Sequence, residues 1–377
     1  MSAPQERSSR WKDVGYFLVG LVVIGSLIAG AIRLWRGNAG EPPARPADAS
    51  GLTAQAQGEG EPCDGALRDR FSQSGASGPG LAIVQSGVRA IGSVPVGSKS
   101  ADAAGAPDEL PAHEVTFARS FAVAACEISA ADYAVFASDS GRSWPSGSLA
   151  LANARAGASL PAADVSWHDA VAYVGWLSAK TGKSYRLLSE AEWEWAAYGG
   201  SESRWPWSNS STYSCAYANI RGDVSVNRAS EPIGNYRLCG KSAYRPAPRG
   251  ELTGNDFRLY DMLGNVAEWT ADCYRSSYEG APADGSAVES RNCEERVFRG
   301  GSWLSLPENA RPAFRAHAAP DYRDGVVGFR VARDLTEEEL AAIRARATAE
   351  SAARAAQAAA AQAAGEAIKR AEPTSKK

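Results

Sequence analysis

Three stretches of the chain share one punctuation: a serine, an acid three residues on, apolar residues at helical spacing, and a closing glycine. Ser129 precedes AADYAVFASDSG, with Asp132 and Gly141; Ser166 precedes WHDAVAYVGWLSAKTG, with Asp169 and Gly182; Ser189 precedes EAEWEWAAYGG, with Glu192 and Gly199. A serine hydroxyl satisfies an orphan N–H of the first turn, the acid reaches back to the cap, and glycine takes the left-handed C-terminal position. The pattern predicts three short helices. In the second, Ala170, Val171, Val174 and Leu177 form a core-facing stripe; in the third, Trp193 shares a face with Ala197 and reads as core. The segments HEVTFARSFAV, RVFRGGSW and GFRVAR read as short strands between Gly, Pro, Asn and Ser clusters. With no βαβ rhythm and no internal repeat, the expectation is a single α+β domain low in regular secondary structure.

The flanks differ from this domain. Residues 14–32 read VGYFLVGLVVIGSLIAGAI without a charge, roughly 19 residues and enough to cross a hydrocarbon core as a helix. Arg33, Trp35 and Arg36 follow as an interfacial anchor. The competing reading is a cleaved signal peptide ending at Ala29-Gly30-Ala31. All six cysteines lie after this run and none forms a C-x-x-C pair, which suggests disulfides in an exported chain over zinc or thioredoxin chemistry. The shortest loops pair Cys273 with Cys293 and Cys215 with Cys239. Residues 37–62, rich in Gly, Pro and Ala, read as a flexible tether. After Asp334 an Ala, Glu and Arg-rich tail reads as a solvated helix, with Thr336 and Glu339 as its capping box. The organisation expected is a short segment 1–13, a membrane anchor 14–36, a linker 37–62, a globular domain 63–333 and a helical tail 334–377. This places the protein in the cell membrane as a single-pass protein, its domain on the periplasmic or extracytoplasmic side. A formal net charge of −3 over 377 residues argues against nucleic acid as a partner, since binding it needs a basic face.

The ordered blocks PAHEVTFARSFAVAACEISAADYAVF, PAADVSWHDAVAYVGWLSAKTGKSYRLLSEAEWEWAAYGG, RLYDMLGNVAEWTADCY, RVFRGGSW and GFRVAR resemble the formylglycine-generating enzyme family, the sulfatase-modifying factors, over residues 81–333. The resemblance implies a C-type-lectin-like α+β domain, often calcium-bound. It also implies an oxidase that holds copper(I) through two cysteines just after Gly-Gly-Ser-aromatic and converts a sulfatase cysteine to formylglycine with O₂. By that spacing Ser305 and Ala310 stand at the two cysteine positions, and no cysteine follows Cys293. Copper(I) needs soft thiolate ligands, so copper is not expected here and neither is the family oxidation. Upstream, Gln85-Ser86 departs from the family's usual Pro-Ala.

Two readings remain. A non-haem iron oxygenase needs two histidines and a carboxylate with open positions; the three histidines, His113, His168 and His317, show no ligand spacing. The favoured reading is a non-catalytic binding or scaffolding module for a peptide, glycan or envelope partner. Trp205, Trp207, Trp303 and Arg315 are candidates to line its groove; alternatively the tryptophans pack structurally, and Arg299, Arg315 and Arg330 are buried partners of acids. Ser305 near a glycine pair is not a hydrolase elbow. Calcium is the expected cofactor. In DMLGNVAE two carboxylates bracket a Gly-containing turn, and the resemblance assigns ligands to the Asp261 and Glu268 side chains and the Gly264 and Val266 carbonyls. The alternative is a metal-free turn with Glu268 paired to an arginine. A second family calcium site, at Asn219 and Ile220, lacks a recognisable other half.

Overall fold

Each of the three serines caps a helix in the computed structural model, which describes residues 61–93, 105–143, 159–209, 214–221 and 245–371. Helix α1 spans Ala130–Ser140, α2 Trp167–Thr181 and α3 Glu190–Tyr198. The Ser129, Ser166 and Ser189 side chains accept from the backbone N–H of Asp132, Asp169 and Glu192, and Gly141, Gly182 and Gly199 close the helices at φ of 66°, 70° and 58°. At α2 and α3 the acid also accepts from the cap N–H, completing reciprocal capping boxes. Ala170, Tyr173, Val174 and Leu177 are buried in α2, whereas Val171 is 37% exposed. Val171 was expected on the core stripe; at about 100° per residue it lies at the stripe's margin, and Tyr173 fills the core position.

Eleven strands are described. Strands β1 (Leu67–Arg70), β2 (Ser77–Val84), β5 (Phe121–Ala124), β6 (Tyr185–Arg186) and β11 (Ala332–Asp334) form an antiparallel sheet in the order β1-β2-β5-β11-β6. Leu81, Ile83, Ala122 and Ala124 belong to one core cluster, and Ala82, Val84, Phe121 and Val123 to the other. The sheet is therefore buried on both faces, which is why β2 and β5 carry unbroken apolar runs. A hairpin pairs β3 (Gly87–Ile91) with β4 (His113–Phe117). A second sheet, in the order β10-β7-β8-β9, comprises β7 (Ala267–Cys273), β8 (Arg296–Arg299), β9 (Arg315–Ala318) and β10 (Val327–Gly328), with β10 parallel to β7.

Cys273 and Cys293 are disulfide-bonded, as expected, and so are Cys63 and Cys126. Cys215 is also in a disulfide; its expected partner Cys239 lies outside the described residues. A short helix α4 (Ser214–Tyr217) carries Cys215. Packing continues beyond Arg333 into helix α5 (Glu337–Ala371), where Leu340 and Ala347 are buried with Leu335. Among the described residues no helix is long and apolar enough to cross a membrane; the 14–32 run and the 37–60 part of the tether lie outside them.

Candidate functional site

The 302–310 loop leaves β8 through Gly300 and Gly301, at φ of 93° and 68°. A Cβ on Gly300 would meet the Met262 carbonyl at 2.7 Å, so the close approach requires glycine there. The loop is bonded along its length. The Ser302 N–H donates to the Ser305 hydroxyl at 2.9 Å, and the Ser305 N–H returns to the Ser302 carbonyl at 2.8 Å. The Arg221 N–H donates to the Ser305 carbonyl at 2.9 Å. Pro307–Asn309 form a 3-10 turn, and the Ala310 methyl that follows is 1% exposed within the core. At the two positions where the resemblance places copper ligands, one side chain ties a turn and the other fills apolar space.

Aromatic rings border this loop. The Trp205 Nε1–H donates to the Ala310 carbonyl at 3.1 Å. Trp205 stacks on Trp207 with centroids 6.3 Å apart, and Trp207 stacks on Tyr217 at 5.0 Å with planes 9° apart. The Arg204 guanidinium lies 4.9 Å over the Trp205 ring. Trp205 is buried, Trp207 and Tyr217 are half-buried, and Leu304 in the loop is 45% exposed. Trp205 and Trp207 are thus brought together, and Trp205 reaches the loop at Ala310. Tyr217, Arg204 and Leu304 escaped the sequence reading. Leu304 lies three residues past the glycine pair and was within reach of it; Tyr217 lies in a short segment without periodicity and gave no signal.

The other two groove candidates are placed differently. The Trp303 Nε1–H donates to the Gly325 carbonyl at 3.3 Å. Arg315 is buried and does not line a groove. Its Nε and Nη2 bond both oxygens of Glu190 at 2.7 and 2.9 Å, and Nη1 bonds the Asp108 and Arg275 carbonyls at 2.7 and 2.8 Å. With every guanidinium nitrogen engaged, it has no face for a ligand. Arg299, fully buried, bonds Glu190 at 2.6 Å and also Glu194, with the Tyr278 hydroxyl at 3.1 Å. Burial alone would raise Glu190, but Arg315 and Arg299 outweigh it and hold the carboxyl below its ordinary range. Burial wins at Glu194, which is raised although it shares Arg299. The arginines hold acids apart inside the domain.

The histidines occupy three settings. His113 is half-buried, 5.1 Å from the Tyr278 ring, and burial lowers its pKa. His168 lies 3.7 Å from Asp321 on the surface. His317 stacks on Tyr274 at 3.6 Å and meets Glu295 at 3.0 Å. Among the described residues no group of three or more His, Cys, Asp or Glu is arranged to hold a metal ion.

The expected calcium ligands lie elsewhere. Asp261 is buried at φ 55°, and one of its oxygens accepts from the Gly250 N–H at 2.6 Å. Burial raises it to about 6. Glu268 sits inside β7, not in a turn, and is 1% exposed. Arg330 bonds both its oxygens, at 2.6 and 2.7 Å, and the Trp193 Nε1–H adds a bond at 2.7 Å. Calcium takes 6–8 oxygen ligands, and both Glu268 oxygens are already bonded by Arg330.

The sequence pattern of the sulfatase-modifying factor enzyme 1-like domain matches residues 70–335, more than half of the chain. The chain belongs to this family. Within the sulfatase-modifying factor enzyme 1-like family, it is 35% identical to the formylglycine-generating enzyme of Thermomonospora curvata across 46% of this chain and 55% of that enzyme. It is 34% identical to the inactive C-alpha-formylglycine-generating enzyme 2 of Mus musculus across 46% of this chain and 49% of that protein. The chain spans about half the length of the curated relatives it matches. The structure of PvdO from Pseudomonas aeruginosa shares the fold, with a TM-score of 0.57 and 31% identity over 71% of this chain and 98% of PvdO.

Proposed function

We propose that this sulfatase-modifying factor-like protein is a binding or scaffolding module for a peptide, glycan or envelope partner and does not oxidise cysteine. The observation that carries the reading is the chemistry of the 302–310 loop. A hydroxyl and a methyl replace thiolates, and neither can hold copper(I). Both residues have structural work: Ser305 accepts from the Ser302 N–H, and Ala310 is closed into the core beneath Trp205. The stacked, half-buried rings of Trp207 and Tyr217 offer an aromatic face of the kind that recognition sites use. The relative named an inactive enzyme supports a non-oxidising member of this family.

The same proposal places the domain outside the cytoplasmic membrane, held by residues 14–36 and spaced from it by 37–62. The uncharged 14–32 run supports this, as do disulfides at Cys63–Cys126 and Cys273–Cys293, which persist in oxidising compartments. Protease added to spheroplasts should digest the domain and leave a small membrane stub. For the site, tryptophan fluorescence of the purified chain is titrated with peptide and glycan panels. A saturable change that Trp207→Ala removes supports the proposal, and the class that produces it identifies the ligand. Full protection of the domain in spheroplasts contradicts the location, and binding unaffected by Trp207→Ala contradicts the site.

A further inference from the structure

Cys273 and Cys293, joined by a disulfide, both line a half-open cavity of about 230 Å³. The two halves of the bridge are unequally placed: Cys273 is 4% exposed at the end of β7, whereas Cys293 is half-buried in the segment before β8. The Cys63–Cys126 bridge is covered instead. A Cβ on Gly250 would meet Cys63 Sγ at 3.1 Å and Cys126 Sγ at 3.6 Å, so the chain at Gly250 lies against both sulfurs.

A thiol attacks the sulfur it can reach, and exchange quickens when the departing sulfur leaves readily as a thiolate. Cys293 is the half within reach. Cys273, the half that would leave, stands directly opposite Arg296 in the β7–β8 pairing. The Arg296 guanidinium is held in place, 3.8 Å over the Trp167 ring and with Nη1 donating to the Ala271 carbonyl at 2.6 Å. Its Nε is buried and has no hydrogen-bond partner among the described residues. A fixed cation with a spare N–H beside a cysteine favours the thiolate. The cavity wall carries both signs of charge, Arg275 against Glu294 and Glu295, which suits a small thiol bearing carboxylate and ammonium groups.

We infer that the Cys273–Cys293 bridge is a thiol-exchange site for a small zwitterionic thiol. The incoming thiolate forms a bond to Cys293 Sγ, the Sγ–Sγ bond breaks, and Cys273 leaves with the electron pair and takes up the proton that the thiol gave to water. A second equivalent of thiol attacks the mixed disulfide, so that Cys293 is reduced as the two small thiols are oxidised to their own disulfide. The 274–292 excursion keeps the Tyr278 N–H bond to the Leu110 carbonyl and the Thr116 N–H bond to the Ala283 carbonyl, each at 2.8 Å, and so stays tied to the domain once the covalent link opens. The exchange is independent of the binding role proposed above.

The native full-length chain is exposed to glutathione, quenched with acid, alkylated and mapped by mass spectrometry. The expected adduct is on Cys293, with Cys273 alkylated, and this bridge should open about tenfold or more faster than Cys63–Cys126. In the chain unfolded by guanidinium the two bridges should open at similar rates, because the fold supplies the selectivity. Arg296→Gln should slow the native reaction and Arg296→Lys should restore it. An adduct on Cys273, equal native rates at the two bridges, or an unchanged rate in Arg296→Gln overturns the inference. Should Arg296→Gln not fold, the wild-type adduct position and rates decide the matter alone.

Discussion

The indole N–H of Trp205 donates to the backbone carbonyl of Ala310 at 3.1 Å, across a sequence separation of 105 residues. The second copper-ligand position of the family is therefore fixed from a distant loop, with Trp205 at 4% exposure above it. Trp205→Phe removes the donor and leaves the carbonyl buried without that partner, a change that costs about 1–3 kcal/mol. Urea unfolding should show a lower midpoint at unchanged slope, and amide exchange should quicken in the 302–310 loop.

The charged layer under β8 gives a larger effect. Arg299 is fully buried between Glu190 and Glu194. Arg299→Met leaves Glu194 without its guanidinium while Arg315 still holds Glu190, and removing one partner of a buried ion group typically costs about 3–5 kcal/mol. The exposed Arg346–Glu350 pair on α5 is the control. Arg346→Ala should leave the urea midpoint unchanged, because solvent screens such a pair.

These arginines also show how far the sequence carries. The caps at Ser129, Ser166 and Ser189 were legible because a hydroxyl, an acid and a glycine at fixed offsets meet local backbone needs. The buried acid partners of Arg299, Arg315 and Arg330 were legible as one of two readings. Which reading applied at Arg315 depended on Glu190, 125 residues away. Strand β7 was missed: AEWTADC is buried almost throughout, so it lacks alternation, and its Glu268 read as a turn ligand. The Cys63–Cys126 bridge was illegible too, because its spacing of 63 residues says nothing of proximity.

Stability should depend on pH through Glu339, which caps α5 with Thr336 and bonds Arg333 and Lys183. Burial alone would raise its pKa, but these donors outweigh burial and hold it at about 2, below the ordinary 4.5. A carboxylate with a depressed folded-state pKa contributes stability above its unfolded value, and that contribution is lost as pH falls through the folded value. Relative to wild type, Glu339→Gln should be less stable at neutral pH, and the difference should vanish between pH 4.5 and about 2. Thermal melts of both proteins across that window check it; a gap that widens on acidification contradicts it.

The Cys273–Cys293 bridge closes a 20-residue separation. That excursion delivers Tyr278 to Arg299 and the Gly285 carbonyl to the Ser189 cap. Replacing both cysteines by serine frees it in the unfolded chain, and the chain-entropy account gives a loss of about 3 kcal/mol. Denaturant titration measures the loss, and exchange at the Val288 amide, which bonds Asp272 at 2.7 Å, reports whether the excursion loosens locally.

The central claim is that the Ser305 and Ala310 positions do no oxidative chemistry. Its most direct test offers the purified full-length chain a sulfatase-type Cys-x-Pro-x-Arg peptide with copper, O₂ and a thiol reductant, and follows the cysteine by mass spectrometry. The account predicts an unmodified peptide and no copper held by the protein, since neither a hydroxyl nor a methyl binds copper(I). Conversion of the cysteine to an aldehyde by the unmutated chain would contradict it.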